Sequence, residues 1–288
     1  MIITETCITK QQKSTQVRLA VFIVNKGKTQ KKILDLTTTE WLQKEFQSYT
    51  TFVIDCYPNM QLKDSITPYL QNFDYFVIIY NDTPYLTNNI IDKIFEYVVI
   101  KNSKACKLYS GAVYNTSYYL SNNDIMFDSF YLQNEDCFRV INDEKDLIVA
   151  EKYFTKKIIN DLKKKNVFID NPESVVISAN CEIGEGTTIL NNCAIKGKSK
   201  IGKNVVINNN TTIIDSVIGD STSVSNSTIT KSKIGTNTII SPYCNITKSN
   251  IDNDCVIGYY CVVDGWKLKK GTNITERTSL IKTKGENK

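Results

Sequence analysis

Residues 183–207 read IGEGTTILNNCAIKGKSKIGKNVVI, with isoleucine at 183, 189, 195, 201 and 207. A helix repeats its buried face near 3.6 residues and a half-buried strand at 2, so a period of six is neither. The pattern extends upstream to Ile177. Downstream it runs to Ile213 and on, with some steps of five, through Ile218, Val224, Ile229, Ile234, Ile240, Ile246, Ile251, Ile257 and Val263. The residue two before each of these sixteen aliphatics is Val, Cys, Thr or Ser, from Val175 and Cys181 to Cys255 and Cys261. Glycine follows the aliphatic at Gly184, Gly202, Gly219, Gly235 and Gly258.

Two inward positions two apart mark a short strand. One is large and the other small, as a narrow interior requires. Glycine and polar residues between them permit tight corners. Each six-residue unit is then one side of a prism, three units close a coil, and coils stack through parallel backbone pairing. This spacing predicts a parallel β-helix of hexapeptide repeats, with about five coils.

The chain before this tract has other periods. VRLAVFIV (17–24), TTFVID (50–55) and DYFVIIY (74–80) read as buried strands, and WLQKEFQ (41–47) and NNIIDKIFEYVV (88–99) as helices. Such alternation predicts a parallel α/β sheet. At 143–165, apolar Leu147, Ala150, Phe154, Ile158 and Leu162 give an amphipathic helix, acidic early and lysine-rich late. The expected organisation is an α/β domain over 1–142, a linker helix over 143–166, the β-helix over 167–275 and a tail over 276–288.

Composition narrows the chemistry. The 288 residues carry a net charge of +5, 41% hydrophobic content and no histidine. Nine cysteines without a Cys-x-x-Cys pair argue against zinc sites and disulfide frameworks. No apolar run reaches 18 residues and the start lacks a secretory pattern, so the expectation is a cytoplasmic protein without a membrane span. Scattered basic residues without a groove-reading motif give no support to nucleic-acid binding.

In open α/β sheets ligands gather beyond the carboxyl ends of strands. The third strand ends in Asn81-Asp82-Thr83-Pro84. Asp82 there offers a hard oxygen for Mg²⁺ beside a phosphate. The alternative is a plain turn with a helix cap. The first strand ends in Asn25-Lys26-Gly27-Lys28, where Lys26, Gly27 and Lys28 are candidates to cradle phosphate; a basic turn is the alternative.

Three segments resemble the bacterial bifunctional N-acetylglucosamine-1-phosphate uridylyltransferase/glucosamine-1-phosphate acetyltransferase family. YNDTPYLT (80–87) is similar to its Gly-Asp-x-Pro-Leu-x-Thr segment, VINDEKDLIVAEKYF (140–154) to its Val-Asn-Asn/Asp-Arg-x-x-Leu-x-x-x-Glu segment, and 166–189 with 215–246 to its domain junction and first coils. The resemblance implies a reduced, nucleotidyltransferase-like (Rossmann-like) parallel sheet followed by a left-handed parallel β-helix. It further implies Asp82 and Asn142 as protein ligands to Mg²⁺, a nucleoside triphosphate and a sugar-1-phosphate as substrates, and a homotrimer.

The departures are as specific. The family's glycine-rich phosphate loop is replaced by NKGKTQKK, and Asn81 stands for the glycine before the aspartate. Only 59 residues separate Asp82 from Asn142, leaving SGAVYNTSYYL (110–120) as a remnant strand of the sugar region. The family's acetyl transfer uses a histidine base in later coils, so that activity is not expected. Two functions stay open: a sugar-phosphate nucleotidyltransferase of UDP-N-acetylglucosamine pyrophosphorylase type, or a non-catalytic binding or regulatory β-helix protein. A hexapeptide acyltransferase ranks behind both.

Overall fold

The computed structural model describes residues 17–26, 31–56, 61–122, 124–129 and 135–282. They fall into two compact units, Met1–Ala150 and Glu151–Lys288.

In the first unit the chain runs β1 (Leu19–Asn25), a hairpin of β2 (Lys32–Ile33) and β3 (Leu36–Thr37), α1 (Thr38–Glu45), β4 (Thr50–Asp55), α2 (Leu62–Ile66) and β5 (Tyr75–Tyr80). It continues with α3 (Asn88–Ile100), β6 (Ala105–Lys107), β7 (Ala112–Asn115), α4 (Thr116–Ser121) and β8 (Asp128–Ser129). The sheet order is β4-β1-β5-β7-β6-β8. Because β1 is buried on both faces, it reads as a continuous apolar run. Val21 and Ile23 pack with Leu42 of α1, with Phe46 just after it, and with Ile91, Ile94 and Phe95 of α3. Ala20, Phe22 and Val24 pack on the other face with Ile66 of α2 and Tyr119 of α4.

The expected parallel sheet is mixed. Strands β4, β1 and β5 are parallel, but β7 runs antiparallel to both β5 and β6. The cause is a tight turn at Leu108–Gly111, closed by Leu108 N–H to the Gly111 carbonyl at 3.1 Å. Gly111 has φ +104°, and a Cβ there would sit 1.9 Å from the Ile78 carbonyl oxygen. A hairpin joins antiparallel neighbours, whereas parallel ones need a crossover. The remnant strand of 110–120 is also shorter than expected: after Asn115 the chain turns helical, because the Asn115 side chain accepts the Tyr118 N–H and caps α4.

Helix α5 (Glu144–Lys164) carries the chain across the division between the units. The Lys163–Lys165 run at its end is exposed.

The second unit is a left-handed parallel β-helix of hexapeptide repeats. Its strands form three parallel sheets of seven, six and seven strands. All sixteen predicted aliphatic positions are buried. They stack in register, for example Ile177, Ile195, Ile213, Ile229, Ile246 and Val263 up one side. Each such side chain contributes roughly 1.5–3 kcal/mol on burial.

The tube exceeds the expected five coils. Its first strand, Phe168–Ile169, pairs with Thr188–Ile189. A turn at Pro172–Ser174 interrupts the period between them. At the far end Leu280 pairs with Val263, so the coil runs past 275 into the segment expected as a tail. Leu268, Ile274 and Leu280 are only partly buried, which is why the pattern fades there.

From Gly186 onward the corners of the coils each place one residue in the left-handed region. One column is Gly197, Asp215, Lys231, Lys248 and Gly265; another is Asn192, Asn210, Asn226, Tyr243 and Tyr260. Asparagine tolerates this conformation better than most residues, which accounts for its frequency in the tract.

Candidate functional site at the carboxyl edge of the sheet

The chain passes from β1 to β4 on one side, then crosses to β5 on the other, so the order reverses at β1. A crevice at the carboxyl ends of β1 and β5 follows from that reversal. The residues lining it are polar. Asn25 ends β1 opposite Asp55, which ends β4. Asn25 donates from its amide to Asp55 at 2.5 Å and accepts from the Thr39 hydroxyl at 2.6 Å.

Asn81 and Asp82 follow β5. The Asn81 N–H donates to the Val24 carbonyl, and its side-chain oxygen accepts the Lys26 N–H at 3.0 Å. Asn81 is buried and stitches the ends of β1 and β5 together. Beside it, Lys26 Nζ lies 3.5 Å from Asp82 Oδ2 and 3.6 Å from the centre of the Tyr80 ring. Asp82 Oδ1 is buried with no hydrogen-bond partner. The turn reading of this segment holds locally, since Thr83 bonds back to the Tyr80 carbonyl. It does not cap the following helix, which starts at Asn88 with Thr87 before it.

Asn142 enters from the other end of the unit. Ile141 N–H donates to the Asp82 carbonyl at 3.0 Å, setting exposed Asn142 one residue from the Asp82 main chain. Lys31, absent from the expected site, holds this segment in place. Its Nζ lies 2.6 Å from the Asn142 carbonyl oxygen and 3.4 Å from those of Ile141 and Asp143. Nothing in the spacing of the chain marks Lys31, because its partners lie more than a hundred residues away. The start of α5 fixes Asn142 from the other side. Asp143 accepts the Asp146 N–H at 2.9 Å, and Asp146 accepts the Asn142 N–H at 3.0 Å. That bond from Asn142 holds the Asp146 carboxyl below the usual carboxylate range.

Lys26, Asp82 and the Asn142 segment thus meet at one edge. Gly27 and Lys28, the other phosphate candidates, lie outside the described residues. Tyr80 beside Lys26 has its phenol pushed up, first by burial and then by the charges of Cys56 and Asp82, so it stays a hydroxyl donor at neutral pH. Among the described residues no three His, Cys, Asp or Glu side chains converge to hold a metal. A divalent ion here would rest on Asp82, Asn142 and oxygens of its ligand. Mg²⁺ suits that donor set, since it is bound through one or two carboxylates plus substrate phosphates. Asp82 Oδ1, buried and without a hydrogen-bond partner, is a hard oxygen acceptor.

Beyond Tyr80 opens a cavity of about 320 Å³. Tyr80, Tyr109, Tyr114 and Phe127 line it together with Lys26 and Lys107. Burial pushes the Tyr114 phenol up to about 12.

Comparison with known proteins bears on the second unit. Residues 180–215 match the family described as bacterial transferase hexapeptide (six repeats), and 206–284 match the GlmU-like, C-terminal hexapeptide family. The chain is a partial, low-identity homologue of bifunctional GlmU. It is 38% identical over 105 residues to bifunctional protein GlmU of Thermoanaerobacter pseudethanolicus, and 34% identical over 102 residues to that of Lactobacillus johnsonii. These matches cover 36% and 35% of this chain, and 23% and 22% of the GlmU chains. The chain therefore spans about a quarter of the length of the curated relatives it matches. Among solved structures, a Francisella novicida UDP-N-acetylglucosamine acyltransferase aligns with 40% of this chain and 59% of its own, at 20% identity and TM-score 0.23. No helix among the described residues is long and apolar enough to cross a membrane.

Proposed function

We propose that the first unit is a reduced sugar-phosphate nucleotidyltransferase-type domain, whose strand edge binds a phosphate ester with Mg²⁺ on Asp82 and Asn142. The observation that carries this reading is Asp82 itself. It follows the carboxyl end of β5, keeps one carboxylate oxygen buried and unpartnered, and stands beside the Lys26 ammonium. In the reaction, a sugar-1-phosphate oxygen attacks the α-phosphorus of a nucleoside triphosphate. A new P–O bond forms there, the α–β bridging P–O bond breaks, and pyrophosphate leaves with the electron pair. Bound Mg²⁺ supplies Lewis-acid stabilisation of the phosphoryl charge. Lys26 adds positive charge from the protein, and Lys31 keeps the Asn142 segment where the ion needs it. The work is positioning and charge neutralisation.

A second reading, non-catalytic phosphate-ester binding, has one observation in its favour. The Lys26 ammonium at 3.5 Å already balances Asp82 without a metal. For the second unit we propose self-association as a homotrimer. Support comes from one outer face of the tube, which exposes Val206, Ile239 and Val256.

Incubation with UTP, N-acetylglucosamine-1-phosphate and Mg²⁺, followed by other nucleotide and sugar-phosphate pairs, separates the two readings. Pyrophosphate release that is lost in Asp82→Ala supports the enzyme. Absence of product with every pair, together with nucleotide binding indifferent to Asp82→Ala, rules it out.

A further inference from the structure

The two ends of the tube differ in cover and in charge. At the first coil, Ile159 and Leu162 of α5 join the apolar cluster of Val167, Ile169, Ile183 and the aliphatics stacked beyond them. Three closed sheets leave only the end of the tube open to a helix, so the second half of α5 caps that end. The coil it covers, 168–185, carries Asp170, Glu173, Glu182 and Glu185 and no basic residue. Residues 156–165 bring Lys156, Lys157 and the Lys163–Lys165 run against one acid, Asp161. Opposite charge thus accompanies the apolar contact.

At the other end, the strands Lys267–Leu268, Asn273–Ile274 and Ser279–Ile281 are the last of their three sheets among the described residues. Leu268, Ile274 and Leu280 are only partly buried, whereas Ile251, Ile257 and Val263 one coil below are 0% exposed. Trp266 takes the position that Ser216, Ser232 and Ser249 hold in earlier coils, and it is exposed where they are buried. Stacked repeats need a cover at such an end, where apolar side chains and strand edges meet water. The charge here is reversed. Residues 265–282 carry Lys267, Lys269, Lys270, Arg277 and Lys282 against Glu276 alone. The coil beneath holds Asp252, Asp254 and Asp264, of which only Asp254 pairs with this rim, to Lys270 at 3.3 Å. Two copies meeting end to end would oppose their basic rims, so like charge disfavours a second copy. We propose that an acidic amphipathic helix of a partner protein caps this end. Its apolar stripe lies on Leu268, Ile274 and Leu280, and its carboxylates face Lys267, Lys269, Arg277 and Lys282. The inference is independent of the phosphate chemistry proposed for the first unit.

The test uses the full chain and two labelled synthetic peptides of residues 143–165. One keeps the natural sequence. The other carries Lys156→Glu, Lys157→Glu, Lys163→Glu, Lys164→Glu and Lys165→Glu. Fluorescence anisotropy measures binding, and tryptophan emission locates it. A helix over the last coil shields Trp266 and should shift its emission to the blue. The chain has two tryptophans and Trp41 is buried, so the shift should vanish in Trp266→Phe. The acidic peptide should bind roughly ten-fold or more tightly than the natural one. Lys269 and Arg277 are exposed, so Lys269→Glu with Arg277→Glu should reverse this order while sparing the core. Ile274→Asp should abolish binding of both peptides. No binding of the acidic peptide, equal binding of the two, a preference that survives the charge reversal, or binding without a change at Trp266 overturns the proposal. Self-association that Ile274→Asp abolishes and the acidic peptide cannot displace also overturns it, since a second copy would then hold the end.

Discussion

The Ser232 hydroxyl accepts the backbone N–H of Ser249, one coil further along the tube, at 3.0 Å. The same bond joins Ser199 to Ser216, Ser216 to Ser232, and Ser249 to Trp266. Each hydroxyl also donates to a nearby carbonyl, as Ser232 does to Thr230 at 2.8 Å. Where it is serine, the small inward residue is therefore the acceptor for a backbone N–H that would otherwise be buried without one. Ser232→Ala removes that acceptor and should cost about 1–3 kcal/mol, the penalty of a buried unsatisfied donor. Thr228→Ala, on an exposed position of the same coil, should cost much less. Urea midpoints of the two variants measure the difference.

The column shows what the sequence made legible and what it hid. The choice of Val, Cys, Thr or Ser was visible as a size rule, and burial bears the size rule out. The hydrogen-bonding role was hidden, because donor and acceptor sit a whole coil apart. The five-residue steps were visible as numbers only. They arise mainly at the corner of Asp215, Lys231 and Lys248, which closes with one residue fewer than the Gly197 corner. In the first unit the start of α1 was legible but missed. Thr37 and Glu40 form a reciprocal cap, and Thr-x-x-Glu before an apolar run signals it. The pairing of Lys26 with Asp82 was not legible, since 56 residues separate them and only the order of the sheet brings them together.

Ile213 has no exposed surface and stacks between Ile195 and Ile229. Ile213→Ala should lower stability by about 2–5 kcal/mol, through lost transfer energy plus a cavity that rigid coils cannot close. Ile201→Asp buries an unpaired charge in the same core and should remove the cooperative unfolding transition of the β-helix. Circular dichroism during denaturation reads both. An unchanged, soluble Ile201→Asp protein would contradict the inward stacking of this side chain.

Gly111 tests the hairpin that makes the sheet mixed. Its φ of +104° disfavours any side chain, and the Ile78 carbonyl occupies the space a Cβ needs. Gly111→Ala should lower the melting temperature well beyond an ordinary loop substitution. Fluorescence-monitored melting, with Ser110→Ala as the neighbouring comparison, measures the effect.

Thiol chemistry separates surface from core. Burial pushes the Cys193 and Cys244 thiols up, and each lies against a carbonyl, at 3.1 Å from Asn208 and 3.0 Å from Gly258. Thiolate is the reactive form, so these positions should resist alkylation in the folded protein. Cys56 is exposed and should react quickly. Peptide mapping after brief maleimide treatment should find label on Cys56 at once, and on Cys193 and Cys244 only after denaturant is added.

Asp146 links the start of α5 to acidity. Its carboxyl is held below the ordinary carboxylate range, first by the Asn142 N–H and further by the Asp143 backbone N–H, Arg139 and Lys31. A depressed folded value means the folded state favours the charged form. The stabilisation is present above the unfolded value and fades as pH falls through the folded one. Asp146→Asn should therefore destabilise the protein at neutral pH and match the parent once both are acidified below that folded value. Denaturation midpoints of the pair across a pH series give the comparison. A gap that stays constant into strong acid would show that the Asp146 charge is not what anchors the Asn142 segment.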